Sequence, residues 1–239
     1  MKKTIILCVF FSFLFSTNNT FSQRKKVENL PNFDKKPWNF GYYLGVNKNS
    51  FVVDYKASNF NNSQVKVDAG FGFNIGVMVE KRLHKNFSLR FEPGLMSNAK
   101  KLYFKNDNGS FLTKKDSLRE ISGTYLHLPL LLKFSTDRLR NIKPYVVGGL
   151  AFDYNFSSNE GNPDDNAQGE FRMKKTNFMY ELGIGIDFYT PYFKFSPSLR
   201  GLFALNNEIV YDNNGPASPW TAPIDNFATR GVFLKLTFE

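Results

Sequence analysis

Eleven charged side chains fall on one parity of an alternating pattern: Glu80, Arg82, Arg90, Glu92, Lys133, Asp153, Glu181, Asp187, Lys194, Arg200 and Lys235. On that register all of them face the same way, and five acids stand against six bases. Charges gathered inside a protein are tolerable only when paired and hydrogen-bonded. The set therefore predicts a salt-bridged filling rather than an ion path. Hydrolytic or acyl-transfer chemistry would need a histidine beside a hydroxyl, oriented by an acid. Only His84 and His127 are available. His84 sits in a predicted tight turn. His127 has Tyr125 and Pro129 as same-face neighbours and no serine two residues away, which predicts a histidine held in place rather than a catalytic one. The run Asp164, Asn166, Gln168, Gly169 resembles the opening of a calcium loop, but the twelfth position is Lys175 where a bidentate glutamate is required. A polar surface loop is the better reading. No catalytic residue, cofactor site or metal site is expected.

The elements that would position these charges announce themselves by a period of two, which no helix uses. In the stretch 176–189, Phe178, Tyr180, Leu182, Ile184, Ile186 and Phe188 alternate with Met179, Glu181, Gly183, Gly185 and Asp187. Seven more segments behave alike, around Trp38–Asn47, Phe71–Arg82, Phe87–Glu92, Tyr125–Phe134, Val146–Tyr154, Phe193–Phe203 and Val232–Phe238. One face is apolar and rich in aromatics, consistent with 27 Phe and 11 Tyr in the chain; the other is Gly, Ser, Asn and charge. A soluble sandwich or lipocalin-like barrel turns its polar face outward. The opposite arrangement is expected of a barrel whose outside meets lipid. Closure also leaves no unpaired edge in the bilayer. The fold class is therefore all-β: an eight-stranded antiparallel transmembrane β-barrel of the outer membrane. Pro93, Pro129 and Pro197 fall inside predicted strands, where bulges are expected because proline cannot donate to a ladder.

Connections support the same reading. Tight turns are predicted at His84–Asn86, Ser135–Ile142 and Thr190–Tyr192, and long loops at 49–69, 105–119, 157–175 and 206–226. Short periplasmic turns alternating with long extracellular loops are the habit of such barrels, and an even strand count puts both termini in the periplasm. Asn213-Asn214-Gly215-Pro216 and Ser218-Pro219-Trp220 suggest that the last loop is turn-rich and exposed. Aromatic girdles are expected from Trp38, Phe87, Phe134, Tyr145, Tyr192 and Phe238 at the periplasmic end, and from Phe71, Tyr103, Phe104, Phe156 and Phe178 at the outer end. The N-terminal residues read as an address. Lys2 and Lys3 precede an apolar run from Ile5 to Phe15, with Thr20 and Ser22 as small residues before Gln23. That run is too short to span ~30 Å of hydrocarbon as a helix. Residues 1–22 are expected to be a cleavable signal peptide, 23–37 a periplasmic lead-in without periodicity, and 38–239 the barrel. Cys8, the only cysteine, leaves with the signal, so disulfides, thiol nucleophiles and Cys–metal sites are excluded.

A formal charge of +10 could suggest nucleic acid, yet the bases are dispersed. Arg24, Lys25, Lys26, Lys35 and Lys36 precede the first strand. Lys100, Lys101, Lys105, Lys114, Lys115, Lys174 and Lys175 are expected at the outer rim, where lipopolysaccharide phosphates are a simpler partner.

Several phrases in these strands resemble a known family. They are Asn29-Leu30-Pro31-Asn32-Phe33-Asp34 followed by Trp38–Asn47, the segment Tyr125–Phe134, Lys143-Pro144-Tyr145-Val146-Val147-Gly148-Gly149, and Glu181–Phe188. Together they resemble the PorT-like outer-membrane barrels of Bacteroidetes, within the wider outer-membrane β-barrel domain family. The strand phrases are shared with the wider family, and the lead-in narrows the likeness to PorT. His127 stands where that family usually has an acidic or polar residue. Phe238 followed by Glu239 resembles the terminal signal read by the barrel-assembly machinery, with Glu239 a departure from a terminal aromatic. The resemblance implies a non-enzymatic component or assembly factor of the type IX protein secretion system, related to gliding motility, with other secretion proteins as partners. A general structural or adhesion barrel is the second functional class, and a lipid-modifying enzyme or small porin the third.

Overall fold

A strand that pairs on both edges needs neighbours on both sides, and the first strand here has them. The computed structural model describes residues 27–56, 64–105, 114–215 and 218–239; the predicted signal peptide lies outside them. Strand β1 (Trp38–Tyr55) pairs antiparallel with both β3 (Gly70–Arg82) and β10 (Ile224–Phe238). From β10 the ladder continues through β9 (Lys194–Ala204), β8 (Thr176–Tyr189), β7 (Ile142–Asn155) and β6 (Leu118–Ser135). It returns to β3 by way of β4 (Phe87–Phe91) and β5 (Gly94–Lys105), so the sheet closes into a barrel. Segments β4 and β5 lie in line and act as one interrupted strand. Strand β2 (Gln64–Asp68) pairs only with the far end of β5. Ten segments thus make a ring of eight. The strands also run further than their alternation suggests: β1 pairs with β10 out to Tyr55, inside the predicted loop 49–69.

The prolines do not produce bulges. The β3 pairing keeps one register across Pro93, from Val79↔Phe91 to Gly76↔Gly94. Pro129 lies within an unbroken β6–β7 ladder. On its other side the Glu92 N–H donates to the Pro129 carbonyl at 3.3 Å. Antiparallel geometry would have residue 129 donate back to the Glu92 carbonyl; proline cannot, and the Tyr43 hydroxyl donates there instead at 3.2 Å. At Pro197 the β8–β9 pairing stops after Gly185↔Ser198 and resumes in the same register at Phe188↔Phe195. Among the described residues the one register shift is at Asp54/Tyr55 against β10. Gaps in a ladder flanked by intact pairs thus replace the expected bulges.

Side-chain parity is inverted relative to a water-soluble barrel. On β8, Leu182 is 56% and Ile184 62% exposed, while Glu181, next to Leu182 on the opposite parity, is fully buried. Among the described residues no helix is long and apolar enough to cross a membrane. The interior is layered. At the end with the long loops, Phe51, Leu102, Phe104, Phe171, Met173, Ile209, Ile224 and Phe227 form an apolar cap. A second apolar layer of Met96, Tyr125, Ala151, Met179, Leu202 and Phe233 lies deeper. Level with this second layer sit buried asparagines, Asn74 opposite Met96 and Asn47 opposite Phe233, with Asn98 donating to Asn47 at 2.8 Å and Asn47 donating to Asn74. Below both layers, toward the end with the short turns, charged side chains fill the barrel.

Candidate functional site: a charged interior closed at both ends

Three strands meet at Arg200. Its guanidinium grips Glu92 with two nitrogens, at 2.7 and 2.8 Å, and reaches Glu181 at 3.0 Å. Lys235 lies 3.2 Å from Glu92 and 3.7 Å from Glu181. One layer nearer the short turns, Arg90 pairs with Glu80, and it lies 3.4 Å from Glu92 and 3.2 Å from Glu239. Lys133 bridges Asp187 at 2.7 Å and Glu80 at 3.6 Å. Lys194 holds Glu239 at 2.6 Å, and Ser196 donates to Asp187 at 2.7 Å. Fork-shaped, charge-assisted bonds of this kind are the strong ones, and here they connect into one network. Nearly every ring strand contributes because period-2 alternation turns one residue in two inward from each.

His127 completes the network at its upper edge. Its Nδ1 lies 2.5 Å from Asp153 and its Nε2 3.2 Å from Glu181, in full burial. With both nitrogens facing carboxylates, none is left to take a proton from a hydroxyl nucleophile. Register explains the contact, since His127 and Asp153 are direct cross-strand partners.

Ten of the eleven charges singled out in the sequence are brought together in this way. Arg82 is not. It ends β3 at the mouth of the barrel, half-buried, and its guanidinium donates to the carbonyls of Asp34 and His84. Glu239 is the member that alternation should have supplied. Lys235, Thr237 and Glu239 share a parity, and the Glu239 side chain is fully buried. Reading the end of the chain only as a terminal aromatic signal hid it. Three further assignments change. Lys100 is not at the rim: it points inward at 4% exposure, over the Phe51 ring at 3.7 Å, and donates to Thr229 at 3.4 Å. Phe104 and Tyr145 likewise belong to the interior rather than to the girdles. Both follow the inward parity of their strands.

The two mouths are closed by chain that looked featureless. At the short-turn end the lead-in folds across the opening through a 3-10 turn at Phe33–Lys35. Tyr189 donates to Asp34 at 2.6 Å, and Lys143 and Arg138 face the same carboxylate at 3.5 and 3.8 Å. Arg138 also donates to the carbonyls of Leu30 and Asn29, while Asn29 bonds Asn141 and the Tyr189 carbonyl. Phe33 packs edge-on to Tyr189 and under the Lys194 ammonium. The space left between this segment and the charged layer is about 20 Å³, bordered by Asp34, Glu80, Arg82 and Lys194. In the adjoining turn, bonds from Lys85 and Asn86 hold the Asp137 carboxyl below the usual aspartate range. At the other end the loop between β9 and β10 is not simply exposed. Glu208, Ile209, Thr221 and Ala222 are buried, and the Glu208 carboxylate accepts from the Thr229 N–H at 2.7 Å and hydroxyl at 2.9 Å.

The outer wall carries the girdles expected at its edges. Trp38, Phe87, Phe134 and Tyr192 are exposed at the short-turn end, and Phe71, Tyr103, Phe156 and Phe178 at the other. Lysines stack on aromatics of these bands and beside them: Lys81 over Trp38 at 5.2 Å, Lys48 over Phe71 at 5.2 Å and Lys175 over Tyr154, which packs on Phe156, at 5.0 Å. Such pairs place an ammonium at the level of lipid headgroups while its stem covers apolar surface.

Several solved structures resemble this chain. OprG from Pseudomonas aeruginosa is 10% identical with a TM-score of 0.45, over 83% of this chain and 94% of that one. Neisserial surface protein A is 11% identical with a TM-score of 0.45, over 84% and 98%. Ail of Yersinia pestis is 12% identical with a TM-score of 0.40, over 85% and 99%. No curated protein matches the chain in sequence. The model of the outer membrane protein beta-barrel domain matches residues 16–210. With a closed antiparallel ring, an apolar outer wall and a polar interior behind it, the chain belongs to that outer-membrane β-barrel domain family.

Proposed function

We propose that this protein is a closed, non-enzymatic outer-membrane barrel that serves as a component or assembly factor of the type IX protein secretion system. Its lead-in and short turns face the periplasm, and its long loops face outward. The carrying observation is the lead-in. The segment that resembles PorT-like proteins, Asn29 to Asp34, is clamped over the barrel mouth by Arg138, Lys143 and Tyr189, so it forms a fixed surface at the face where periplasmic secretion proteins would meet it. A filled lumen supports a role other than conduction, and a histidine held on both sides by carboxylates supports one other than catalysis. Lipid surrounds the wall, and the stacked lysines suit lipopolysaccharide phosphates. Insertion would use the barrel-assembly machinery.

Deleting the gene tests the reading. Selective failure to export type IX cargo, with a normal envelope, is the expected result. Normal secretion with a weakened envelope or lost adhesion would replace it with the general structural barrel. Restoring export with a chain lacking residues 27–36 would show that the clamped lead-in is not the working surface.

A further inference from the structure

At the long-loop rim of the barrel, beneath the loop joining β7 to β8, lies a polar hollow of about 270 Å³ whose lining also includes Arg119, Phe171 and Met173. The tip of β6 forms one side with Glu120 and Ser122. The end of β7 and the loop form the other with Asn155, Ser157, Asn159 and Glu170. None of these groups belongs to the interior network. The geometry points to a binding site for one neutral hexose ring of a surface glycan, with Glu170 and Asn155 as its principal contacts.

The donors and acceptors are arranged before any ligand arrives. Asn155 is 4% exposed, and its Oδ1 is committed to the Ser157 N–H at 2.9 Å. Among the described residues its amide nitrogen has no hydrogen-bond partner, and Asn155 lines the hollow. Asn159 uses its own amide nitrogen to hold one oxygen of Glu170 at 3.2 Å and the Phe171 carbonyl at 3.2 Å, while its Oδ1 accepts from the Met173 N–H at 3.3 Å. That fixes the loop and leaves the second Glu170 oxygen as an acceptor. The hydroxyl of Ser122 adds a group that gives or takes. A mixed set of this kind matches ligands whose every polar group both donates and accepts, and sugar hydroxyls do so. An ammonium would have no use for the Asn155 donor. It would also find Glu120 already neutralised by Lys101 at 2.7 Å. An anion would be repelled by Glu170, and the one arginine of the lining, Arg119, already donates to Asn166 and to the Leu118 carbonyl. The volume lies just below the ~300–1,000 Å³ of sites for drug-sized ligands, which suits a single ring. The setting at an outward rim rests on the orientation proposed above, whereas binding itself does not depend on it.

Saturation-transfer NMR on the purified full chain in micelles tests the site, with glucose, galactose, mannose and N-acetylglucosamine as probes. At least one should bind saturably at millimolar concentration. Glu170→Gln should raise its Kd tenfold or more, and Ser122→Tyr, which fills the hollow from an exposed position, should abolish binding. Heat-modifiable gel mobility shows that both variants fold. Polysaccharide released from the cell's own lipopolysaccharide either displaces the sugar, placing the source in its own envelope, or does not, placing it outside; the hexose class stands in both cases. No saturable signal from any of the four sugars overturns the proposal. So does binding that survives Ser122→Tyr, or displacement by n-butylamine, which would reveal an ammonium site. Cargo export plays no part in these readouts, so they fail or succeed independently of the secretion role.

Discussion

Arg200 ties two carboxylates from different strands together through three hydrogen bonds. Replacing it with methionine would leave Glu92 and Glu181 close together, with Lys235 as their main remaining counter-charge. Breaking a buried pair by removing one partner costs ~3–5 kcal/mol, and Arg200→Met should lose that much in urea titrations followed by gel mobility in micelles. Adding Glu181→Gln should restore part of the loss, since the second change removes a charge that the first left uncompensated. A loss below ~1 kcal/mol for the single variant would mean that solvent reaches the network. Parity in the sequence was enough to nominate ten of its members, because inward residues recur every second position whatever their partners are. It could not say which acid meets which base. That depends on the stagger between strands, as in the meeting of Glu92, Arg200 and Lys235 from three separate segments. Arg82 shows the limit from the other side: its parity is right, but the strand ends with it and the mouth offers carbonyls instead of carboxylates.

Among the elements, strands were legible and the covering segments were not. A strand exposes its pattern locally, whereas the lead-in and the loop between β9 and β10 are folded by partners far away in the chain. Asp34 is held from Arg138, Lys143 and Tyr189, and no local period could report that. Turn chemistry in the last loop was read correctly at Gly215, whose φ is +51°, but turns do not reveal that Ile209 is 2% exposed in the apolar cap. The proline signal misled for a related reason. A missing donor was expected to distort the strand, yet at Pro129 a side chain from another strand, Tyr43, donates in its place. The cap makes the loop a stabilising element. Ile209→Ala should therefore cost ~2–5 kcal/mol in thermal unfolding, as truncation of buried aliphatic side chains does. Leu205→Ala, at a position 59% exposed, should stay within ~0.5 kcal/mol. Equal effects at both positions would mean that the loop does not pack as described.

For the whole molecule the question is whether a path crosses it. An eight-stranded ring leaves an interior about wide enough for side chains to fill, and here successive layers differ in chemistry. An ion entering from the long-loop end would first meet Phe51, Phe104, Phe171 and Phe227, with the buried Lys100 and Glu208 beside them, then Met96, Met179 and Phe233 among asparagines, before reaching the salt-bridged network. The apolar layers offer nothing to replace its hydration shell, and the charged layer is already paired with itself. From the opposite end the lead-in covers the mouth, but it is not the only barrier. Purified protein in planar bilayers should therefore show no stable conductance above background. The same should hold for a chain lacking residues 27–36, because the ion network and both apolar layers remain. A triple change, Phe51, Phe104 and Phe227 to serine, should also leave the barrel shut, since Met96, Met179 and Phe233 still bar the route below. Reproducible unitary currents in the intact chain would rule out the closed lumen. Currents that appear only after removal of the lead-in would make that segment the gate and the layers above it permeable.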